Sequence, residues 1–245
     1  MGFEGFCGLL LVSAGPATVL YSVVIARKSF LVILTFASVF YWLIVLLLIS
    51  CLARGFAPLP NHAGPYAALL ITCVGIEEAA RLGLYKLNQR LLVILEKLAD
   101  RQEHTTLSKA DRLAMTTAHG FAHGLTHAIF LCISWLPLTL DAGTYYIGSC
   151  PQMSVFLGSA LLAFAFLMLH TSSMVVAFAG AENGKPLHRF GPSAVHFIAA
   201  LVTLSSFAQG GCMASAVLSL LIGASSTLCA GHVAWKSLHP SNDPA

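Results

Sequence analysis

Polar positions in this chain are gathered into short stretches that separate long apolar runs; no segment shows sustained strand-like alternation. The runs fall at about 3–26, 29–53, 66–86, 113–136, 154–179, 193–209 and 213–235. Each is long enough, or nearly so, to cross a bilayer, which takes about 20 apolar residues as a helix. The sixth is the shortest. The expectation is an all-α polytopic membrane protein: one domain over residues 1–245, folded as a bundle of seven transmembrane helices. Composition agrees, because 57% hydrophobic and 9% charged residues make a membrane chain rather than a soluble core. No internal repeat or low-complexity tract occurs.

The connections add detail. G55-F-A-P-L-P-N-H-A-G-P65 is rich in Pro and Gly and reads as an external loop. L91-L-V-I-L-E-K-L-A-D-R101 mixes apolar and charged residues at helical spacing. The third helix is therefore expected to run on beyond the membrane or turn along its surface. Gly15-Pro16 predicts a kink within the first span. The amino terminus does not read as a removable signal, since it has no Lys or Arg before Arg27 and carries Glu4. The first span is expected to be retained.

Orientation follows from the basic residues. Arg27, Lys28, Lys86, Arg90, Lys97, Arg101, Lys109, Arg112, Lys185, Arg189 and Lys236 fall on one side of a seven-span arrangement, and Arg54 alone borders the other. The amino terminus should face lumen or exterior and the carboxyl terminus the cytosol. The net charge of +3 is then a topology signal, and nucleic acid is excluded as a partner. Of the cysteines, Cys7, Cys51, Cys73, Cys132 and Cys229 lie in or near spans, while Cys150 and Cys212 fall in the fourth and sixth connections. Both connections are on the oxidising side, which makes Cys150–Cys212 a candidate disulfide.

Two seams of small residues stand out. Gly120, Gly124 and Ala128 are four apart in the fourth span, a spacing that lets membrane helices approach to backbone contact. Ser215, Ser219, Gly223, Thr227 and Gly231 repeat the spacing in the last span. His119, His123 and His127 form a second strip on the fourth span, about 100° from the first.

Polar residues recur inside other spans. Glu77, Glu78 and Arg81 lie in the third, His170 in the fifth and His196 in the sixth. At about 1.5 Å per residue, most of these groups share levels in the cytosolic half. Three readings stand: a structural polar network, a hydrated cavity carrying protons or ions, and a catalytic site. H-x3-H-x3-H could offer two imidazoles to one metal, but the Glu of H-E-x-x-H is missing between them. The residues name no metal, no cofactor and no catalytic group.

Together these residues resemble the anterior-pharynx-defective family, the seven-span scaffold subunit of γ-secretase. The resemblance runs nearly end to end: G15-P16, E78-A-A-R81-L-G-L-Y85-K86, the G120-x3-G124-x3-A128 strip, H170-T171 and His196. It implies a non-catalytic subunit that assembles with presenilin, nicastrin and the presenilin enhancer subunit and stabilises presenilin, which carries the catalytic aspartates. It also implies residence in membranes of the secretory pathway: endoplasmic reticulum, Golgi, plasma membrane or endosomes. The glycine strip and the histidines matching His170 and His196 are associated in that family with assembly and activity. This chain departs from it in having Ala128 where a third glycine is common, and in the added polarity of His119, His123 and His127.

Two other classes remain. E77-E78-A-A-R81 and F166-L-M-L-H170 are similar to the glutamate-pair and F-x3-H motifs of type II CAAX prenyl proteases, where Glu and His activate water. The Arg spacing differs from that family's, and H196-F-I-A-A200 ends in Ala where an amide or acid is expected. A transporter or channel is the third class, and the chain shows neither inverted halves nor broken-helix pairs.

Overall fold

A computed structural model describes residues 3–60, 62–101, 107–139, 143 and 145–239. Helix α1 (Phe3–Leu20) contains Pro16 and ends in a π-turn (Tyr21–Ile25); α2 follows at Ser29–Gly55, α3 at Ala63–Arg101 and α4 at Lys109–Ser134. A short α5 (Leu136–Thr139) leads to a small antiparallel hairpin of β1 (Tyr146–Ile147) and β2 (Cys150–Ser154). Then come α6 (Val155–Glu182), α7 (Pro186–Val202) with a 3-10 turn (Thr203–Phe207), and α8 (Gly211–Leu238). The fold is all-α apart from this hairpin, which the hydrophobic pattern did not reveal.

Among the described residues six helices are long and apolar enough to cross a membrane: α1, α2, α4, α6, α7 and α8, with their flanking turns. α3 is not one of them, because Glu77, Glu78 and Arg81 interrupt its apolar half. Its length is not the obstacle: 39 residues span about 58 Å. The helix continues unbroken through Leu91 to Arg101, so the amphipathic segment extends α3 along its own axis. α7 begins at Pro186, ahead of the apolar run that starts near 193. Pro186 suits a first helical turn, where its missing N–H is no loss. Pro192, inside the helix, reads in sequence as a boundary and is not one.

α6 is the central element. It packs on α1, α4, α7 and α8, and α4 packs in turn on α2. Ala and Gly line the closest approaches, and large side chains fill the gaps: Trp42, Leu84, Met174 and Phe178 form one cluster between α2, α3 and α6. The outward faces are apolar, with Leu11, Ile33, Phe36 and Leu228 all more than half exposed, as expected of surfaces that meet lipid or other membrane helices.

Local chemistry fixes the ends. Ser108 caps α4: its hydroxyl accepts from the Asp111 N–H at 3.1 Å, and the Asp111 carboxylate accepts from the Ser108 N–H at 3.2 Å. This reciprocal pair satisfies two otherwise orphaned donors. Asp111 also pairs with Lys28, and Arg112 with Glu96, tying the α1–α2 turn and the α3 extension to the start of α4. At the opposite end Cys150 and Cys212 form a disulfide, with Cα atoms 6.1 Å apart, which joins the hairpin to the first turn of α8. Gly210 enters α8 in the left-handed region (φ 70°), which glycine adopts without steric cost. Its N–H donates to the Ser149 carbonyl at 2.7 Å, a second link between the same two segments.

Candidate functional site: a buried polar centre

The small-residue seam of α4 is used within the chain. A Cβ on Gly120 would lie 2.6 Å from the Thr171 carbonyl oxygen and 2.8 Å from Met174 Cβ; one on Gly124 would lie 2.7 Å from the Leu167 carbonyl oxygen. Ala128 is buried on the same face. α4 and α6 therefore meet backbone to backbone, as small residues at this spacing permit. In α8, Ser215, Ser219 and Gly223 are buried, and a Cβ on Gly223 would lie 2.7 Å from the Ala165 carbonyl oxygen of α6. The same seam turns outward below this point: Thr227 and Gly231 are exposed.

Close approach of α4 to α6 brings the α4 histidine strip against His170. His123 and His170 have ring centroids 3.9 Å apart, His127 and His170 4.8 Å, and His170 and His196 4.7 Å. Glu77 enters from α3. Its carboxylate lies 3.2 Å from His123 Nε2, 3.5 Å from His127 Nε2 and 3.9 Å from His196 Nε2. One buried carboxylate thus faces imidazoles from α4 and α7, with His170 of α6 packed against them. His123 is also pinned by face-to-face stacking on Trp42 of α2, with centroids 3.5 Å apart and planes 4° from parallel.

Glu78, one residue on, faces a different set. It accepts hydrogen bonds from Arg81 Nη2 at 2.5 Å, from Ser193 Oγ at 2.5 Å and from His196 Nδ1 at 2.8 Å. Its charge is matched by Arg81 within the same helix, the i,i+3 pair that the sequence spacing allows. His196 bridges the two carboxylates, Nδ1 toward Glu78 and Nε2 toward Glu77. His119 is separate from this centre. Its Nδ1 lies 2.7 Å from Ser38 Oγ and its Nε2 3.1 Å from Asn88 Oδ1, so both nitrogens are engaged.

The polar residues singled out in the sequence thus divide into a centre on Glu77, a centre on Glu78 and the isolated His119 group. Ser193, Asn88, Ser38 and Trp42 complete these groups and carried no sequence signal. Each is an ordinary helix residue that matters only through the neighbour it faces. Chemically, the arrangement offers carboxylate–imidazole pairs that can exchange protons. It also offers a set of cation ligands: one donor atom each from Glu77, His127 and His170 lie within 4.8 Å of one another. A cavity of about 440 Å³ reaches Glu77, His127 and His196 between α2, α3, α4, α6 and α7.

A helical bundle with apolar outer faces, helices in backbone contact and ionisable groups concentrated at its centre defines a polytopic membrane protein organised around an interior polar site. The chain belongs to the Aph-1 protein family, which it matches over residues 4–237. It is 36% identical over 237 residues to the gamma-secretase subunit APH1-like protein of Arabidopsis thaliana, covering 96% of this chain and 95% of that one. It is 33% identical to gamma-secretase subunit APH-1B of Mus musculus, over 74% of this chain and 70% of that protein. Gamma-secretase subunit APH-1B of Homo sapiens is 30% identical over 92% of this chain and 88% of its own length.

Proposed function

We propose that this chain is the scaffold subunit of a γ-secretase complex. It assembles with presenilin, nicastrin and the presenilin enhancer subunit, stabilises presenilin, and performs no bond-breaking chemistry of its own. The observation that carries the reading is family membership over nearly the whole chain, among relatives named as gamma-secretase subunits. The interior agrees with a structural role. Both carboxylate oxygens of Glu78 are held by Arg81, Ser193 and His196, which leaves little freedom for a general base to take a proton from water. The outer faces agree with a partner-bearing role, since Thr227 and Gly231 continue a small-residue seam that this chain leaves uncovered.

In the proposed arrangement α3 is the seventh crossing, its charges sheltered by α4, α6 and α7. The amino terminus and the Cys150–Cys212 disulfide then face lumen or exterior, and the carboxyl terminus faces the cytosol, in membranes of the secretory pathway. Gentle detergent extraction followed by identification of co-purifying membrane proteins tests the function. Presenilin and nicastrin in stoichiometric amounts are expected. A lone monomer that cleaves a prenylated peptide, with cleavage abolished by Glu78→Gln, would instead establish the glutamate-protease reading.

A further inference from the structure

His170 is fully buried at the centre of the bundle, and neither of its imidazole nitrogens has a hydrogen-bond partner among the described residues. An imidazole always carries at least one N–H donor or lone pair on each nitrogen, and leaving such groups unpaired in an apolar interior is costly. Nδ1 of His123, also fully buried, is likewise unpartnered. Glu77 poses the complementary problem. It is 4% exposed; Arg81 hydrogen-bonds Glu78, and among the described residues every side chain within ion-pair distance of Glu77 is an imidazole. A buried carboxylate without a matching cation is strongly unfavourable.

One occupant would neutralise the Glu77 charge and engage one of the two His170 nitrogens. We infer that Glu77 of α3, His127 of α4 and His170 of α6 form a binding site for a borderline divalent cation, zinc by ligand type. Their ligand atoms already lie within 4.8 Å of one another. Bonds of about 2.0–2.2 Å to a central ion place tetrahedral ligand atoms about 3.2–3.6 Å apart, so modest side-chain rotation closes the site. Two imidazoles and one carboxylate are a ligand set that zinc favours, and they leave a fourth position for water or for Nε2 of His196. His196 has the orientation of such a ligand. Its Nδ1 is committed to Glu78 at 2.8 Å, the outer-shell carboxylate contact that commonly directs the other nitrogen of a metal-binding histidine. The cavity that reaches Glu77, His127 and His196 supplies an entry path, and His127 is the most exposed of the three ligands, at 27% of its side chain. The ion cross-links three helices that otherwise meet here through van der Waals contact and weak polar contacts.

The pattern differs from the one the sequence invites. H-x3-H on α4 would present His123 and His127 together, but stacking on Trp42 holds the His123 ring. The third ligand comes instead from α6.

The test uses the full-length chain, extracted in mild detergent with a histidine-free epitope tag and equilibrated with buffered zinc chloride. Metal content is measured after gel filtration, with helicity followed by circular dichroism. About one zinc per chain is expected, retained in His62→Ala, an exposed control. Affinity should fall by about tenfold or more in His127→Ala and Glu77→Gln. Zinc-edge X-ray absorption on the unsubstituted chain should show imidazole and carboxylate ligation, a readout that survives even if a variant folds poorly. Folded wild-type protein that takes up no zinc would overturn the site. So would zinc bound equally by wild type, His127→Ala and Glu77→Gln, or an absorption spectrum without imidazole.

Discussion

Gly120 and Gly124 show how much rests on the absence of one carbon atom. The Thr171 and Leu167 carbonyls occupy the places their Cβ atoms would take, and these obstacles are backbone, which cannot rotate aside. Alanine at either position must push α4 from α6. Overpacking of this kind costs about 1–3 kcal/mol, so Gly120→Ala and Gly124→Ala should each lower the thermal midpoint of the detergent-extracted chain. Gly231, with nothing within 4 Å of its Cβ position, is the internal control, and Gly231→Ala should not lower the midpoint, since alanine in an open helical position is if anything stabilising. Equal midpoints for all three variants would remove the seam from the account of this fold. The same substitutions should disturb the histidine centre, because the α4–α6 approach is what sets His123 and His127 against His170. Leucine at 120 or 124 should act more strongly, with reduced recovery of any complex as its consequence.

At the scale of elements, the legible features were those written in one helix at a time. Apolar run length announced the helices, and four-residue spacing announced both seams and the histidine strip. Spacing allowed Arg81 to pair with either Glu77 (i,i+4) or Glu78 (i,i+3), and the structure selects Glu78. What depended on facing was invisible: Asn88 and Ser38 on His119, Ser193 on Glu78, Trp42 on His123, and the division of one polar cluster into separate groups. Element ends were obscured where the usual breakers are tolerated. Pro192 lies inside α7, whereas the continuation of α3 was legible in sequence and is held by Leu92, buried in the core beside Leu91 and Leu95, with the Glu96–Arg112 pair at its side. The start of α4 also lies ahead of the apolar run that begins near 113, because Ser108-x-x-Asp111 closes there as a reciprocal cap. Ser108→Ala should cost about 1 kcal/mol, and its effect should be local. Amide exchange at the first turn of α4 should accelerate while exchange in the α4–α6 contact stays as slow as before. Uniform acceleration would show instead that the cap holds the whole bundle.

At the scale of the molecule, the two ends are chemically unlike, and this is the physical basis of the proposed orientation. One end carries the hairpin joined to α8 by Cys150–Cys212. At the other, Lys109, Arg112, Lys185, His188 and Lys236 line a cavity of about 740 Å³ between α4, α6, α7 and α8. Basic residues are retained on the cytosolic side and disulfides persist on the oxidising side, so the two signals support the proposed polarity by independent chemistry. The disulfide closes a segment with a sequence separation of 62 residues, for which chain entropy in water gives about 4 kcal/mol. α6 and α7 stay inserted in the bilayer when tertiary contacts are lost, which restrains the open chain already. The double variant Cys150→Ser/Cys212→Ser should therefore lose nearer 2 kcal/mol, the lower part of the usual range, read as a fall in thermal midpoint. Orientation has its own test, independent of stability. Single cysteines placed at Lys185 and at Tyr146, in a chain whose Cys7, Cys51, Cys73, Cys132 and Cys229 are replaced by Ala, are exposed to a membrane-impermeant maleimide on intact cells. Once material in internal membranes is excluded by surface isolation, Tyr146→Cys should label without permeabilisation and Lys185→Cys only after it. The reverse pattern would invert the molecule in its membrane. Labelling of both from outside would mean that α6, the one long helix between the two positions, does not cross.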